Sequence, residues 1–173
     1  MNLDERIRKV PDFPKKGILF YDITSVLADP EAFEYCIQEM VRRYRQAELD
    51  SVAAIESRGF LFAAPFALRM GLPLVLVRKA GKLPGKTYSR TYELEYGSDT
   101  VEIHKSDIKK DQRILIVDDL IATGGTVAAT AELIQEVGSK PVEAFSVIGL
   151  PFLDYESRVS PLRVHTLVNY AGE

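Results

Sequence analysis

Residues 114–126 read ILIVDDLIATGGT and contain the clearest structural signal in the chain. The apolar run Ile114–Val117 predicts a buried β-strand. Two adjacent carboxylates follow it, Asp118 and Asp119, and then a loop of small residues. Beyond the loop, apolar residues recur at helical spacing. A buried strand followed by a glycine-rich loop and a helix is typical of an α/β fold.

The loop in this stretch has the chemistry of a phosphate site. Gly124 and Gly125 lack a Cβ, so backbone N–H groups can approach an oxyanion closely. The N-terminus of the following helix adds free N–H donors, and Thr123 and Thr126 can add hydroxyl donors. The two carboxylates cannot hold a phosphate, but they can accept hydrogen bonds from paired sugar hydroxyls or bind a divalent cation. The stretch therefore suggests a ribose 5-phosphate ligand.

The rest of the chain alternates between short apolar runs and helical patterns. Helical patterns cover residues 30–46, 59–70 and 127–134, and apolar runs cover residues 52–55, 74–77, 145–150 and 164–168. This alternation predicts an open, doubly wound, mostly parallel sheet with helices on both faces. Ligands bind such sheets beyond the carboxyl ends of the strands, where this sequence is polar or charged.

Length and composition indicate one domain spanning residues 1–173. The chain carries 22 Lys and Arg against 25 Asp and Glu, and this mildly acidic balance argues against broad nucleic-acid binding. The longest apolar run, near residues 59–68, is about half the length of a membrane span. A single cysteine, Cys36, and a charged segment at residues 1–10 favour a cytoplasmic protein.

Residues 79–112 depart from the alternating pattern. The segment is long and polar, with possible strands near residues 87–94 and 100–104. Long excursions within compact domains usually serve a function or lack order. We expect a flexible loop and β-ribbon here, mobile in the absence of substrate.

The 114–126 string resembles the phosphoribosyl-pyrophosphate (PRPP) motif of the type I phosphoribosyltransferases. Four further strings are similar to segments of that family, in the family's order; they lie at residues 11–24, 56–60, 78–84 and 92–97. Together they resemble the branch whose base is adenine, over nearly the full chain. The resemblance implies the type I fold, with residues 1–29 as a small base-binding hood, and a homodimer.

The resemblance also implies the reaction and the PRPP site. Adenine and PRPP would give AMP and pyrophosphate, a step of purine salvage, with Mg²⁺ carried by PRPP rather than by a dedicated protein site. The implied phosphate contacts are Ala122, Thr123, Gly124, Gly125 and Thr126, with Asp118 and Asp119 on the ribose hydroxyls. Arg58, Lys79, Lys82 and Tyr96 are the implied residues for pyrophosphate and loop closure, and the peptide bond between Glu56 and Ser57 is implied to be cis.

Catalysis and base binding are implied at two other places. Glu95 matches the family's loop glutamate, which lies near the imidazole edge of the purine and can manage a proton there. The implied base contacts are Leu19, Phe20, Tyr21 and Leu120, with stacking on Phe20. Backbone N–H and C=O groups of Tyr21 would read the acceptor N1 and the donor N6 of adenine, a pattern that 6-oxopurines invert.

The sequence departs from the family at three positions. Tyr21 stands where many members have Arg, Ile121 replaces the more usual Leu, and Gly149 stands where many members have Glu. Two alternatives remain open. An enzyme with the same PRPP site could act on hypoxanthine, guanine or xanthine, and a non-catalytic regulator could sense PRPP while binding nucleic acid. The string at residues 94–97 and the acidic composition favour the adenine enzyme.

Overall fold

The computed structural model describes residues 1–93 and 97–172, which form a seven-stranded sheet and a small two-stranded sheet. The strands are β1 (Arg8–Pro11), β2 (Leu19–Asp22), β3 (Ser51–Ile55), β4 (Leu74–Lys79), β5 (Thr87–Glu93), β6 (Ser98–His104), β7 (Arg113–Ile121), β8 (Lys140–Gly149) and β9 (Val164–Asn169). The helices are α1 (Thr24–Leu27), α2 (Pro30–Tyr44), α3 (Gly59–Met70), α4 (Gly125–Glu136) and α5 (Tyr155–Val159). Short 3₁₀ turns span Asp4–Arg6 and Pro151–Leu153.

The large sheet has the order β5-β6-β4-β3-β7-β8-β9. Strands β4, β3, β7, β8 and β9 are parallel, and the β5–β6 hairpin adds an antiparallel edge. This mixed, mostly parallel sheet confirms the fold class that the sequence predicts. The hairpin lies inside residues 79–112, so the expected β-ribbon is present and continues the main sheet.

Two apolar clusters cover the two faces of this sheet. One joins α2 and α3 to the sheet through Met40, Phe62 and Leu115, all fully buried. The other joins α4 to the opposite face through Ile134 and Ile116. Burial on both faces explains why the central strands read as continuous apolar runs rather than as alternating patterns.

The observed elements differ from the sequence patterns mainly at their ends. Strand β7 continues through Asp118 and Asp119 to Ile121, because its backbone stays paired with β8 as far as Gly149. Helix α2 begins where predicted, with the Asp29 carboxylate accepting hydrogen bonds from two N–H groups of the first turn, and it ends at Tyr44 rather than at residue 46. Asp118 and Asp119 therefore lie on strand β7 rather than on a loop.

Candidate active site

A cavity of about 580 Å³ opens at the carboxyl ends of β3, β4 and β7. This is the edge where parallel α/β sheets bind ligands. Its lining includes six residues predicted from the sequence, namely Arg58, Lys79, Asp118, Asp119, Leu120 and Thr126. Glu56, Ser57, Arg78, Tyr92 and Asp99 also line it. The structure thus gathers residues that are up to 71 positions apart in sequence, since Ile55 and Thr126 line one cavity.

An ion pair crosses the cavity floor. The Arg58 guanidinium donates from Nε to Oδ2 of Asp119 over 2.6 Å. The Asp119 side chain is 6% exposed, whereas half of the Arg58 side chain is open to solvent. A buried carboxylate therefore holds an arginine that lines the cavity. A guanidinium has further N–H donors that can bind an anion.

The neighbouring carboxylate, Asp118, has an unusual electrostatic environment. Its Oδ1 accepts a hydrogen bond from the Asp119 N–H over 2.8 Å. Burial raises the pKa of Asp118 well above its ordinary value, and the adjacent charge of Asp119 raises it further. Two adjacent carboxylates on one strand thus favour ligands that can donate hydrogen bonds to both.

Close packing of α3 on β7 brings Arg58 to this position. A Cβ on Gly59 would lie 2.9 Å from the Val117 carbonyl oxygen and 3.0 Å from Cα of Asp118. Only glycine lets the first turn of α3 come so near the strand. The peptide bond between Glu56 and Ser57, just before this turn, is cis, as the family resemblance implies.

The opposite wall of the cavity carries a second set of ion pairs. Lys79 contacts Asp99 of β6 at 2.9 Å between Nζ and Oδ2, and this hydrogen bond raises the pKa of Lys79. Arg78 contacts Glu56 at 2.7 Å, and a Glu56 oxygen also accepts from the Lys79 N–H over 3.1 Å. Lys82 lies just beyond this wall, and its carbonyl oxygen accepts from Arg78 at 3.3 Å.

The glycine-rich loop reaches the cavity through Thr126, which lines it. Gly124 has φ of +76°, a conformation that favours glycine, and α4 begins at the next residue. The Thr126 and Tyr92 hydroxyls lie 3.0 Å apart, which joins the start of α4 to the hairpin. Backbone N–H groups at this helix start make residues 122–126 a suitable cradle for a phosphate.

Comparisons with known proteins identify the family of the chain. The family model for the phosphoribosyl transferase domain matches residues 23–169. The adenine phosphoribosyltransferase of Treponema denticola is 56% identical over 171 residues, which cover 99% of this chain and 90% of that protein. The chain belongs to the adenine phosphoribosyltransferase family.

Solved structures of this family superpose closely on the chain. The enzyme from Thermoanaerobacter pseudethanolicus gives a TM-score of 0.92 at 46% identity, covering 97% of this chain and 98% of that one. The enzyme from Saccharomyces cerevisiae, solved with adenine and D-2,5-dideoxy-2,5-imino-altritol 1,6-bisphosphate, gives 0.89 at 39% identity and covers 96% of each chain. The type I phosphoribosyltransferase fold is therefore confirmed.

The expected base-binding segment of this family lies on β2, outside the large sheet. Leu19 and Leu120 pack against the same apolar cluster, and the Phe20 ring meets Phe13 edge-on with centroids 5.1 Å apart. Asp22, at the end of β2, lies near enough to influence the Arg58 guanidinium electrostatically. The hood thus borders the cavity, although Leu19, Phe20 and Tyr21 are not among its lining residues.

Two predicted residues, Glu95 and Tyr96, lie outside the described part of the chain. Sequence reasoning also missed residues that contact the site. Tyr92 belongs to the family string at residues 92–97 and could have been found from it, whereas nothing in the sequence marks Asp99. The ring of Tyr170 stacks on the ring of Tyr21 with centroids 3.7 Å apart.

Among the described residues, no group of three or more His, Cys, Asp and Glu side chains could hold a metal ion. The nearest candidate donors, Asp118 and Asp119, are two carboxylates, and one of them already contacts Arg58. No helix in the described part of the chain is both long and apolar enough to cross a membrane.

Proposed function

We propose that this chain transfers the 5-phosphoribosyl group from PRPP to adenine, giving AMP and pyrophosphate in purine salvage. The observation that carries the proposal is the cavity itself. It places two carboxylates, an arginine, a lysine and a helix N-terminus around one space at the carboxyl edge of the sheet. Each of these groups complements one part of PRPP.

PRPP would span the cavity, with its 5-phosphate at one end and its pyrophosphate at the other. Residues Ala122, Thr123, Gly124, Gly125 and Thr126 would hold the 5-phosphate, and Asp118 and Asp119 would accept hydrogen bonds from the ribose hydroxyls. Arg58, Lys79 and Lys82 would contact pyrophosphate, with Tyr96 closing over it. Arg58 contacts Asp119 and Lys79 contacts Asp99 in the structure. Both ion pairs would have to give way to contacts with pyrophosphate when PRPP binds.

Mg²⁺ would arrive with PRPP, since phosphate and hydroxyl oxygens are ligands that this ion prefers, and Asp118 and Asp119 could accept hydrogen bonds from its water ligands. Bound in this way, the ion would neutralise charge on the pyrophosphate. The protein's own task is to hold the reactants in line and to stabilise the leaving anion with Arg58 and Lys79.

Catalysis requires the N9 atom of adenine to attack the ribose C1. The bond from C1 to the pyrophosphate oxygen breaks, and its electron pair leaves with pyrophosphate. Adenine must lose a proton as the new bond forms, and we assign that proton, at N7, to the Glu95 carboxylate. The base would stack on Phe20 and meet Leu120 on its other face, with Leu19 and Tyr21 completing the pocket.

A homodimer fits one surface of the structure. Leu61 and Leu68 on α3 are 46% and 84% exposed, and they lie seven residues apart, which places them on the same side of the helix. Exposed apolar patches of this kind often mark protein contacts. We assign this face to a second copy of the chain.

We also place the protein in the cytoplasm, where its buried free thiol Cys36 would stay reduced.

The proposal is tested by AMP formation from PRPP, Mg²⁺ and adenine. The wild-type protein should form AMP and pyrophosphate in equal amounts. The Asp118→Asn/Asp119→Asn double variant should lose most of this turnover through a raised KM for PRPP. Equal activity of the two proteins would remove the carboxylates from the PRPP site.

A further inference from the structure

The short helix α5 supports the phosphate loop from outside. A Cβ on Gly124 would lie 3.0 Å from Cγ1 of Val159 and 3.1 Å from Cβ of Tyr155. Both side chains are buried. Helix α5 follows β8 and lies far from the loop in sequence, so no motif assigns it to the site.

The same helix places a guanidinium beside the loop. A Cβ on Gly125 would lie 3.3 Å from both Cζ and Nη2 of Arg158. The Arg158 side chain is otherwise exposed, and Nη2 donates to the backbone carbonyl oxygen of Glu93 over 2.7 Å. Within residues 1–93 and 97–172, no ion pair joins Arg158 to a carboxylate. Arg158 is therefore a cation that lies at the cradle and contacts only a neutral acceptor among these residues.

The cradle itself supplies neutral donors alone. Residues 122–126 contain backbone N–H groups and threonine hydroxyls but no charged side chain. A sugar phosphate carries nearly two negative charges at neutral pH, and hydrogen bonds to it from a charged donor are about twice as strong as those from a neutral donor. The long Arg158 side chain needs only to move from the Glu93 carbonyl group to the adjacent cradle.

We propose that Arg158 is a further substrate-binding residue, which contacts the 5-phosphate of PRPP and AMP. On phosphate binding, the guanidinium exchanges the Glu93 carbonyl oxygen for phosphate oxygens. Arg158 thereby distinguishes phosphorylated from unphosphorylated ribose ligands. This inference rests on the proposed function only in placing a ribose 5-phosphate at residues 122–126.

Direct binding of ribose 5-phosphate tests the proposal without turnover. Arg158→Gln should bind ribose 5-phosphate about tenfold more weakly than wild type, and Arg158→Lys should recover part of the loss because it keeps the charge. Arg163→Gln is the matched control. It removes the same charge from an exposed residue just beyond α5 and should bind as wild type does.

Pyrophosphate binding in the presence of Mg²⁺ separates a direct contact from an effect on the hairpin. Arg158→Gln should bind pyrophosphate as wild type does if the guanidinium contacts the 5-phosphate. Equal losses for pyrophosphate and ribose 5-phosphate would show that Arg158 acts only by holding Glu93, and would overturn the proposal. An unchanged affinity of Arg158→Gln for ribose 5-phosphate, or no binding to wild type, would also overturn it.

Failure of the proposed function gives a different result. Wild-type protein that binds ribose 5-phosphate through Arg158 but forms no AMP from adenine would contradict the assigned reaction and leave the phosphate contact standing. Thermal unfolding of each variant confirms that the compared proteins are folded.

Discussion

Arg58 and Asp119 join the two halves of the site through a 2.6 Å contact between Nε and Oδ2. The arginine precedes α3, and the aspartate lies on β7, 61 residues later. Both residues are expected to bind PRPP, the arginine through pyrophosphate and the aspartate through ribose. The ion pair holds these two side chains together at the cavity, and we expect PRPP to replace it on binding.

Replacing Arg58 with Gln should weaken PRPP binding and slow the reaction. The variant loses a charged donor to the leaving group, so kcat/KM for PRPP should fall by roughly 10²-fold. Binding of AMP, which lacks pyrophosphate, should change much less. Steady-state kinetics and AMP titration measure the two effects, and an equal loss for both ligands would mean that Arg58 serves the structure rather than pyrophosphate.

Replacing Asp118 with Asn should stabilise the protein while impairing substrate binding. Burial and the Asp119 charge raise the pKa of Asp118, so the folded state favours the protonated form of this carboxyl group. The resulting stabilisation is complete below pH 3.8 and is lost as the pH rises through the folded-state pKa. At neutral pH the amide of the Asn variant removes the cost of burying a carboxylate beside Asp119, so the free energy of unfolding should rise by about 1 kcal/mol. Thermal melts at pH 7.5 and pH 4 measure the gain, which should shrink at the lower pH, and a variant less stable than wild type at pH 7.5 would contradict the account.

Glu95→Gln tests the proposed proton acceptor. The amide cannot take a proton from adenine, so kcat should fall by roughly 10²-fold, the lower end of the usual contribution from a general acid or base. PRPP affinity should stay close to that of wild type, because the glutamate is assigned to the base and not to the phosphates. Rapid-quench turnover and PRPP titration provide the two readings; full turnover in the variant would remove Glu95 from the mechanism.

The Glu143 carboxylate provides a prediction for stability away from the site. It accepts two hydrogen bonds from Arg43, at 2.9 and 2.8 Å, and one from Tyr44 at 2.6 Å. Burial opposes its ionisation, but the contacts with Arg43 and Tyr44 prevail and lower the pKa of Glu143. Its stabilising effect is thus present above pH 4.5 and is lost as the pH falls through the lowered folded-state pKa.

Glu143→Gln should therefore destabilise the protein at neutral pH. We expect a loss of about 1–2 kcal/mol, less than for a fully buried pair because 38% of the Arg43 side chain is exposed. Denaturant unfolding at pH 7 and pH 3.5 measures the difference from wild type, which should narrow in acid. A constant difference across this range would show that the charge of Glu143 does not matter.

The sequence predicts this fold well because the central strands are buried on both faces. A continuous apolar run such as Ile114–Val117 is stable in the middle of such a sheet. The helices between these runs are predicted from the spacing of their own apolar residues. The strands at the antiparallel edge of the large sheet are harder to predict from the sequence. The β5–β6 hairpin is mostly polar on its exposed face, so its pairing with β4 depends on backbone hydrogen bonds that leave little trace in composition.

The candidate site divides in the same way. Residues in a contiguous string, such as Asp118 to Thr126, can be proposed as site residues from the sequence alone. The sequence does not indicate residues on distant elements, because nothing local marks Asp99 at the cavity or Arg158 beside the glycine-rich loop. Gly149 shows the same limit: a Cβ there would clash with Oδ1 of Asn169, so the glycine makes room for a side chain on the neighbouring strand β9.

Transfer of the phosphoribosyl group to adenine is tested most directly by measuring product formation from PRPP and Mg²⁺ with a panel of free bases. Adenine, hypoxanthine, guanine, xanthine and orotate would be supplied separately, and the nucleotide formed would be measured. We expect AMP from adenine and no comparable product from any other base, because 6-oxopurines would leave buried polar groups unpaired. Turnover confined to a 6-oxopurine, or PRPP binding without turnover of any base, would contradict it.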